Sequence, residues 1–301
     1  MDTLEAIFLG IVQGLTEFLP ISSSGHLILI PWLFGWEASS LAFDAALHLG
    51  TLLAVVVYFW REILAMIRAL PIALSRPREL LRSAPEPMPE GAYPVSGGSQ
   101  ANRDHDARLA LLIVIGSIPG GIAGLLGESA IDSFFHSDDH RPASIVAMAG
   151  LLIGFALLLW IVDRASARRR GLDQLQVADA VAVGIAQAMA LLPGVSRSGV
   201  TLTAGMWRGM RRADAARFSF LLGIPLVAAA GAKGLLDTLQ AGMSGAEVSA
   251  FVWGIAASAI SGFAAIWGLL RLLQTSSTTV FVIYRLVVGA FVLALLAAGV
   301  R

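Results

Sequence analysis

Gln13-Gly-Leu-Thr-Glu17-Phe-Leu-Pro20-Ile-Ser-Ser-Ser-Gly25-His26 interrupts an N-terminal stretch otherwise apolar enough to begin a membrane helix. A spanning helix needs about 20 largely apolar residues. Here an amide, a carboxylate, a proline, three serines and a histidine stand in its middle. A second interruption, Pro193-Gly-Val-Ser196-Arg-Ser-Gly199, divides the apolar region 177–207. In regions 4–36 and 177–207 each half is too short to cross alone, and proline followed by small polar residues ends a helix. Each region is therefore expected to be a re-entrant helix-loop-helix that enters and leaves on one side. Irregular backbone at membrane depth requires surrounding protein or a water-filled cavity, so the breaks are where a site is expected.

The rest of the chain fits that reading. Of 301 residues, 56% are hydrophobic and 14% charged, against roughly 25% charged in soluble domains, and the mean hydropathy is +0.76. This describes an all-α polytopic membrane protein, a single membrane domain over 1–301. Six continuous spans are expected near Phe43–Trp60, Leu109–Gly127, Ser144–Val162, Phe218–Leu236, Phe251–Leu273 and Val280–Val300. With no cysteine, disulfides, thiolate metal sites and cysteine nucleophiles are excluded. The first apolar stretch carries Glu5 and Glu17, lacks a basic flank and runs into proline, so it is not read as a signal peptide.

The two broken regions are similar to each other. Gly10-Ile-Val-Gln13 matches Gly184-Ile-Ala-Gln187, and Ser22-Ser-Ser-Gly25 matches Ser196-Arg-Ser-Gly199, at one constant offset. This is an internal duplication, with repeat 1 over about 1–162 and repeat 2 over about 175–301. Arginines concentrate in the loops that follow the first and third full spans and at 208–217, with Arg271 at the end of the fifth span, while Glu128, Asp132, Asp138 and Asp139 lie in the loop after the second. By the positive-inside rule, the first broken segment enters from outside and the second from inside. The repeats are inverted, and their tips are expected to meet near the midplane. Residues 75–106 are rich in Pro, Gly, Ser and charge and read as a mobile cytoplasmic loop without catalytic content.

Ionisable groups inside a membrane are costly and are site candidates by default. Gln13 and Glu17, four apart, share a helix face. Glu17 ends its half-helix, where the dipole disfavours a carboxylate, and a cation such as Mg²⁺ or Ca²⁺ bound by Glu17 and Gln13 would offset this. The alternative is a protonated Glu17 hydrogen-bonded to the opposing tip. Ser22, Ser23, Ser24 and Gly25 precede the second half-helix, where they serve either as caps or as an anion site. His26 in its first turn is placed to act as a general base. At the second tip, Arg197 between Ser196 and Ser198 offers a planar fork for phosphate or an ion pair with Glu17. Thr201 can cap the following half-helix or donate to the same anion. Arg285, beside Tyr284, either snorkels or contributes to the cavity. Asp44 and His48 line an entrance or form an interfacial ion pair, and Lys233 is read as surface.

Residues 13–26 resemble the (E/Q)xxxE and serine-glycine-histidine signature of bacterial undecaprenyl-diphosphate phosphatases, the bacitracin-resistance proteins. Leu192-Pro-Gly-Val-Ser-Arg-Ser-Gly-Val-Thr201 resembles their PGxSRSxxT signature. Phe43-Asp-Ala-Ala-Leu-His-Leu-Gly50 and Phe218-Ser-Phe-Leu-Leu222 are also similar. The resemblance implies an inner-membrane enzyme with a site opening to the outer face, which hydrolyses undecaprenyl diphosphate to undecaprenyl phosphate and inorganic phosphate. That activity recycles the lipid carrier for cell-wall synthesis and confers bacitracin resistance. It also implies dependence on a divalent cation, with Gln13 and Glu17 as the metal or substrate-orienting pair, Ser23 and His26 as catalytic residues, and Ser196, Arg197 and Thr201 as the phosphate-binding group. Many members have glutamate where Gln13 stands, so this pair has one carboxylate. A homodimer is a further expectation. The alternative function is a polyprenyl-phosphate transporter or flippase of similar architecture. The membrane acid phosphatases share serine-glycine-histidine and serine-arginine elements but need a second histidine after the arginine, and none follows His140.

Overall fold

A computed structural model describes residues 2–37, 39–82, 100–136, 141–241 and 245–299. They form α1 (Thr3–Phe18), α2 (Ser23–Phe34), α3 (Leu41–Tyr58), α4 (Trp60–Ser75), α5 (Pro77–Arg82), α6 (Gln100–His136), α7 (Arg141–Ala165), α8 (Val177–Met189), α9 (Arg197–Trp207), α10 (Arg212–Ala241), α11 (Gly245–Thr275) and α12 (Thr279–Ala297). Helices α6, α7, α10, α11 and α12 are each long and apolar enough to cross a membrane, and α3 with α4 forms a pair bent by 80°. The protein is thus an all-α, multi-pass membrane protein with re-entrant segments.

The two broken regions fold as the prolines dictate. Asp2 and Glu5 form a capping box that starts α1, and α1 stops at Phe18, ahead of Pro20. Helices α1/α2 and α8/α9 are each pairs of short helices, and at 1.5 Å per residue none reaches across about 30 Å of hydrocarbon. Both pairs turn back on themselves. Phe8 of α1 meets Trp36 just beyond α2, with ring centroids 5.8 Å apart, and Asp179 of α8 binds Arg208 at the end of α9 at 2.7 Å.

Glycines set how the short helices dock. A Cβ at Gly10 of α1 would collide with the Gly254 carbonyl of α11, and one at Gly184 of α8 with the Gly116 carbonyl of α6. Such small-residue crossings let backbones touch where lipid supplies no hydrophobic drive. The first helix of each pair therefore leans on a long helix of the other half. The open end of α1 packs with Phe43 and Ala250, at the starts of α3 and α11. Near the open end of α8, Asp163 at the end of α7 takes Arg212 of α10 at 2.6 Å and the Thr278 amide before α12 at 2.9 Å. By the alternating course of the spans these are opposite ends of the molecule.

Two differences from the sequence reading concern the arginine-rich side. The span expected at Phe43–Trp60 ends at Tyr58, and α4 takes up what had been read as inner loop. Its Ala65, Ala69 and Ala73 are buried and let it lie against α6. Inside 75–106, α5 begins with Pro77 at a position suited to proline, Leu80 packs with Ala73 and Ala107, and Arg76 joins Asp104 at 2.5 Å. A composition rich in Pro and charge does not reveal these contacts. Residues 83–99 of that loop, and Asp138 and Asp139 of the acidic loop, lie outside the described residues.

Candidate active site

The two tips have the same backbone. Ser22 (φ 78°, ψ 98°) and Ser196 (φ 72°, ψ 110°) precede α2 and α9. Positive φ at a non-glycine residue costs energy and persists only when surroundings enforce it. The enforcing contacts are visible: each serine hydroxyl accepts the N–H of the glycine three residues on, Gly25 at 3.3 Å and Gly199 at 3.2 Å. The tips also hold each other. The Gly194 amide donates to the Ser22 hydroxyl at 3.1 Å, and the Ser198 hydroxyl donates to the Leu19 carbonyl at 3.0 Å.

Between the tips lies a connected polar group. Glu17 accepts from Arg197 Nη2 at 2.8 Å on one oxygen. On the other it accepts from the Ser23 hydroxyl at 2.6 Å and Gln13 Nε2 at 3.2 Å. The ion pair across the repeats, one of the readings open from sequence, is therefore present. His48 Nε2 stands 3.8 Å from the same carboxylate. Its Nδ1 donates to the Asp44 backbone carbonyl at 2.7 Å, and the Asp44 carboxylate takes the Ser39 hydroxyl at 2.7 Å. Arg197 is steered by the Ser219 carbonyl at 3.1 Å and lies against Gly223, where a Cβ would overlap its guanidinium.

His26 sits beside this group. Its Nδ1 is 2.6 Å from the Ser22 carbonyl, which can only accept, so Nδ1 carries a proton. Nε2 faces the Tyr284 hydroxyl at 2.7 Å, and the two rings stack, 14° from parallel. Thr201 is set apart: fully buried, its hydroxyl lies 2.6 Å from the Arg197 carbonyl and 2.5 Å from the Ser219 hydroxyl. Ser24 is exposed at the mouth of α2, and Gly25 is buried.

Arg285 neither snorkels nor faces open space. It is fully buried and donates to the carbonyls of Pro20 at 3.3 Å, Gly194 at 2.9 Å, Val195 at 3.1 Å and Leu152 at 3.1 Å. One guanidinium thus ties both tips to α7. Sequence reasoning missed Tyr284, Ser219 and Gly223 as parts of the site. The adjacency of Tyr284 and Arg285 was the only available signal, because their partners lie far away in the chain.

Among the described residues, no three His, Asp or Glu side chains cluster as a cation cage. Gln13 turns its Nε2 to Glu17 at 3.2 Å and leaves Oε1 a buried acceptor without a hydrogen-bond partner. One carboxylate and one amide oxygen do not make a protein-only site. A Mg²⁺ or Ca²⁺ there would have to complete its shell with phosphate and water.

Two helix N-termini, an arginine and a serine–carboxylate pair converge inside a bundle of membrane spans, an arrangement whose charge suits a phosphate-bearing ligand. The family described as Bacitracin resistance protein BacA matches residues 6–291, and the chain belongs to that family. It is 46% identical to a Thermomicrobium roseum protein named undecaprenyl-diphosphatase, over 97% of this chain and 98% of that one. Proteins of the same name from Geobacter sulfurreducens (43%, over 99% and 100%) and Moorella thermoacetica (41%, over 98% of each) are also similar.

Proposed function

We propose that this protein hydrolyses undecaprenyl diphosphate to undecaprenyl phosphate and inorganic phosphate, returning the lipid carrier to cell-wall synthesis and conferring bacitracin resistance. The observation that carries the catalytic reading is Glu17, whose two oxygens hold Ser23 of one tip and Arg197 of the other. Phosphoryl transfer needs positioning and charge stabilisation more than covalent invention. Arg197 and the first N–H groups of α2 and α9 face the terminal phosphate. The Ser23 oxygen attacks its phosphorus while the serine proton passes to Glu17. The bond to the bridging oxygen breaks, and undecaprenyl phosphate leaves. Water then cleaves the phosphoserine, giving a proton to His26 Nε2 as that nitrogen exchanges its Tyr284 partner for the water; Glu17 returns its proton to the serine oxygen, and His26 passes its proton to the departing phosphate.

A divalent cation belongs to the same proposal. Glu17 and Gln13 would hold it, and when bound it supplies charge neutralisation at the diphosphate. So does placement in the inner membrane with the site reached from the outer face. A cleft between α2, the start of α3 and the facing ends of α6 and α7, lined by Leu27, Trp32, Trp36 and Asp44, supports an approach from that end.

The test is phosphate release from a polyprenyl diphosphate by purified protein, with and without chelator, for wild type and for Glu17→Ala, Ser23→Ala, His26→Ala and Arg197→Ala. Release by wild type that falls in every variant is expected. Full activity in both His26→Ala and Arg197→Ala would contradict the site, and no release by wild type with cation present would favour a carrier.

A further inference from the structure

Two groups stand out among the arginines at the arginine-rich end. Those turned inward meet carboxylates: Arg168 and Arg212 hold Asp163, Arg170 and Arg208 hold Asp179, and Arg217 pairs with Glu62. Those turned outward lie over exposed indoles. Arg61 stands 5.3 Å from the Trp60 ring, Arg164 4.6 Å from Trp160 and Arg271 5.7 Å from Trp267. These three pairs sit where α3, α7 and α11 run out, and none of the three arginines has an ion-pair partner among the described residues.

Helix α4 extends the same surface sideways. It leaves α3 at 80°, and at about 100° per residue its buried Ala65, Ala69 and Ala73 share one face. Trp60, Ile67, Leu70 and Leu74 form the opposite face and are 53%, 54%, 42% and 78% exposed. Arg61 and Arg68, both exposed, lie along the border between the two. A helix apolar on its outer face with a row of arginines at the edge is the pattern of an element seated in a membrane interface.

We propose that α4 and the three Arg–Trp pairs form a collar that binds the head groups of anionic phospholipids in the inner leaflet. The guanidinium forks take the lipid phosphates, the indoles sit at head-group level, and the outer face of α4 rests on the acyl chains. The inward arginines are already neutralised within the protein, so the outward ones supply the attraction.

The experiment measures the lipids retained around the purified full-length protein after exchange into mixed phosphatidylglycerol and phosphatidylcholine bilayers. Wild type is expected to enrich phosphatidylglycerol several-fold, each surface arginine contributing about fivefold at most, with the enrichment falling in high salt. Replacing Arg61, Arg68, Arg164 and Arg271 together by glutamine is expected to abolish it, and replacing them by lysine to retain most of it. Should the fourfold glutamine variant fail to fold, Arg164→Gln and Arg271→Gln, on separate spans, are each expected to lower it. No enrichment by wild type, or enrichment unchanged in the glutamine variants, would overturn the collar. Phosphate release is a separate readout, so failure here leaves the catalytic site untouched.

Discussion

The two re-entrant tips are alike in backbone and unlike in chemistry. Ser22 and Ser196 adopt the same strained conformation and each cap the glycine three residues on, yet the residues that follow diverge. Ser23 corresponds to Arg197, His26 to Val200 and Glu17 to Leu191. The first tip carries the groups that can accept protons and attack, and the second carries the permanent positive charge. A duplicated scaffold thus supplies two facing helix N-termini, while divergence turns them into halves of one site. Gln13 and Gln187 show the same split. Both are buried, but Gln13 donates to Glu17, whereas neither amide atom of Gln187 has a partner.

The largest expected effect comes from removing the second tip's charge. Arg197→Ala is expected to lower kcat/KM by about 10³-fold. It also leaves Glu17 buried without its cation, a loss of about 3–5 kcal/mol that a melting experiment reads. Arg285→Ala releases both tips at once. Misplacement of a catalytic group by an ångström costs on the order of 10²-fold, and a fall of that size in kcat is expected while the protein remains folded in the membrane. Gly223→Ala adds a methyl where Arg197 lies and is expected to cost about tenfold or more on the same grounds. Tyr284→Phe removes the hydroxyl on His26 while keeping the stacked ring. One net hydrogen bond is about 0.5–1.5 kcal/mol, so kcat is expected to change by less than about 15-fold with KM little altered. The smallest effects separate the glutamines: Gln13→Leu is expected to lower activity several-fold, and Gln187→Leu to leave phosphate release unchanged and raise the melting temperature, since it removes buried polar atoms that have no partner.

Much of this was legible in the sequence. Pro20 and Pro193 with their serine–glycine runs mark the breaks, and the constant offset between the copies marks the repeat, because helix-ending chemistry is local. The cross-tip pairing of Glu17 and Arg197 was legible as one of two choices, since two embedded opposite charges leave few partners. Arg285 was not. An arginine in a last span reads equally as snorkelling until the tip carbonyls that receive it are in place. The Tyr284–His26 contact joins residues from opposite ends of the chain, and no local pattern encodes it. Thr201 reads from sequence as a cap or as a donor to the anion, and its hydroxyl lies against the Arg197 carbonyl and the Ser219 hydroxyl, a back-bond available to any helical threonine. Helix α4 escaped notice because its packing face is alanine, which composition alone does not separate from loop.

The central claim is that Glu17 of one tip and Arg197 of the other act as a unit, and a double-mutant cycle on phosphate release tests it most directly. Glu17→Ala, Arg197→Ala and the double variant are compared with wild type for kcat/KM with undecaprenyl diphosphate. Groups that act as a unit are strongly non-additive, so the double variant is expected to lose little more than either single one. Losses that multiply, the double variant falling by the product of the two, would contradict a shared site.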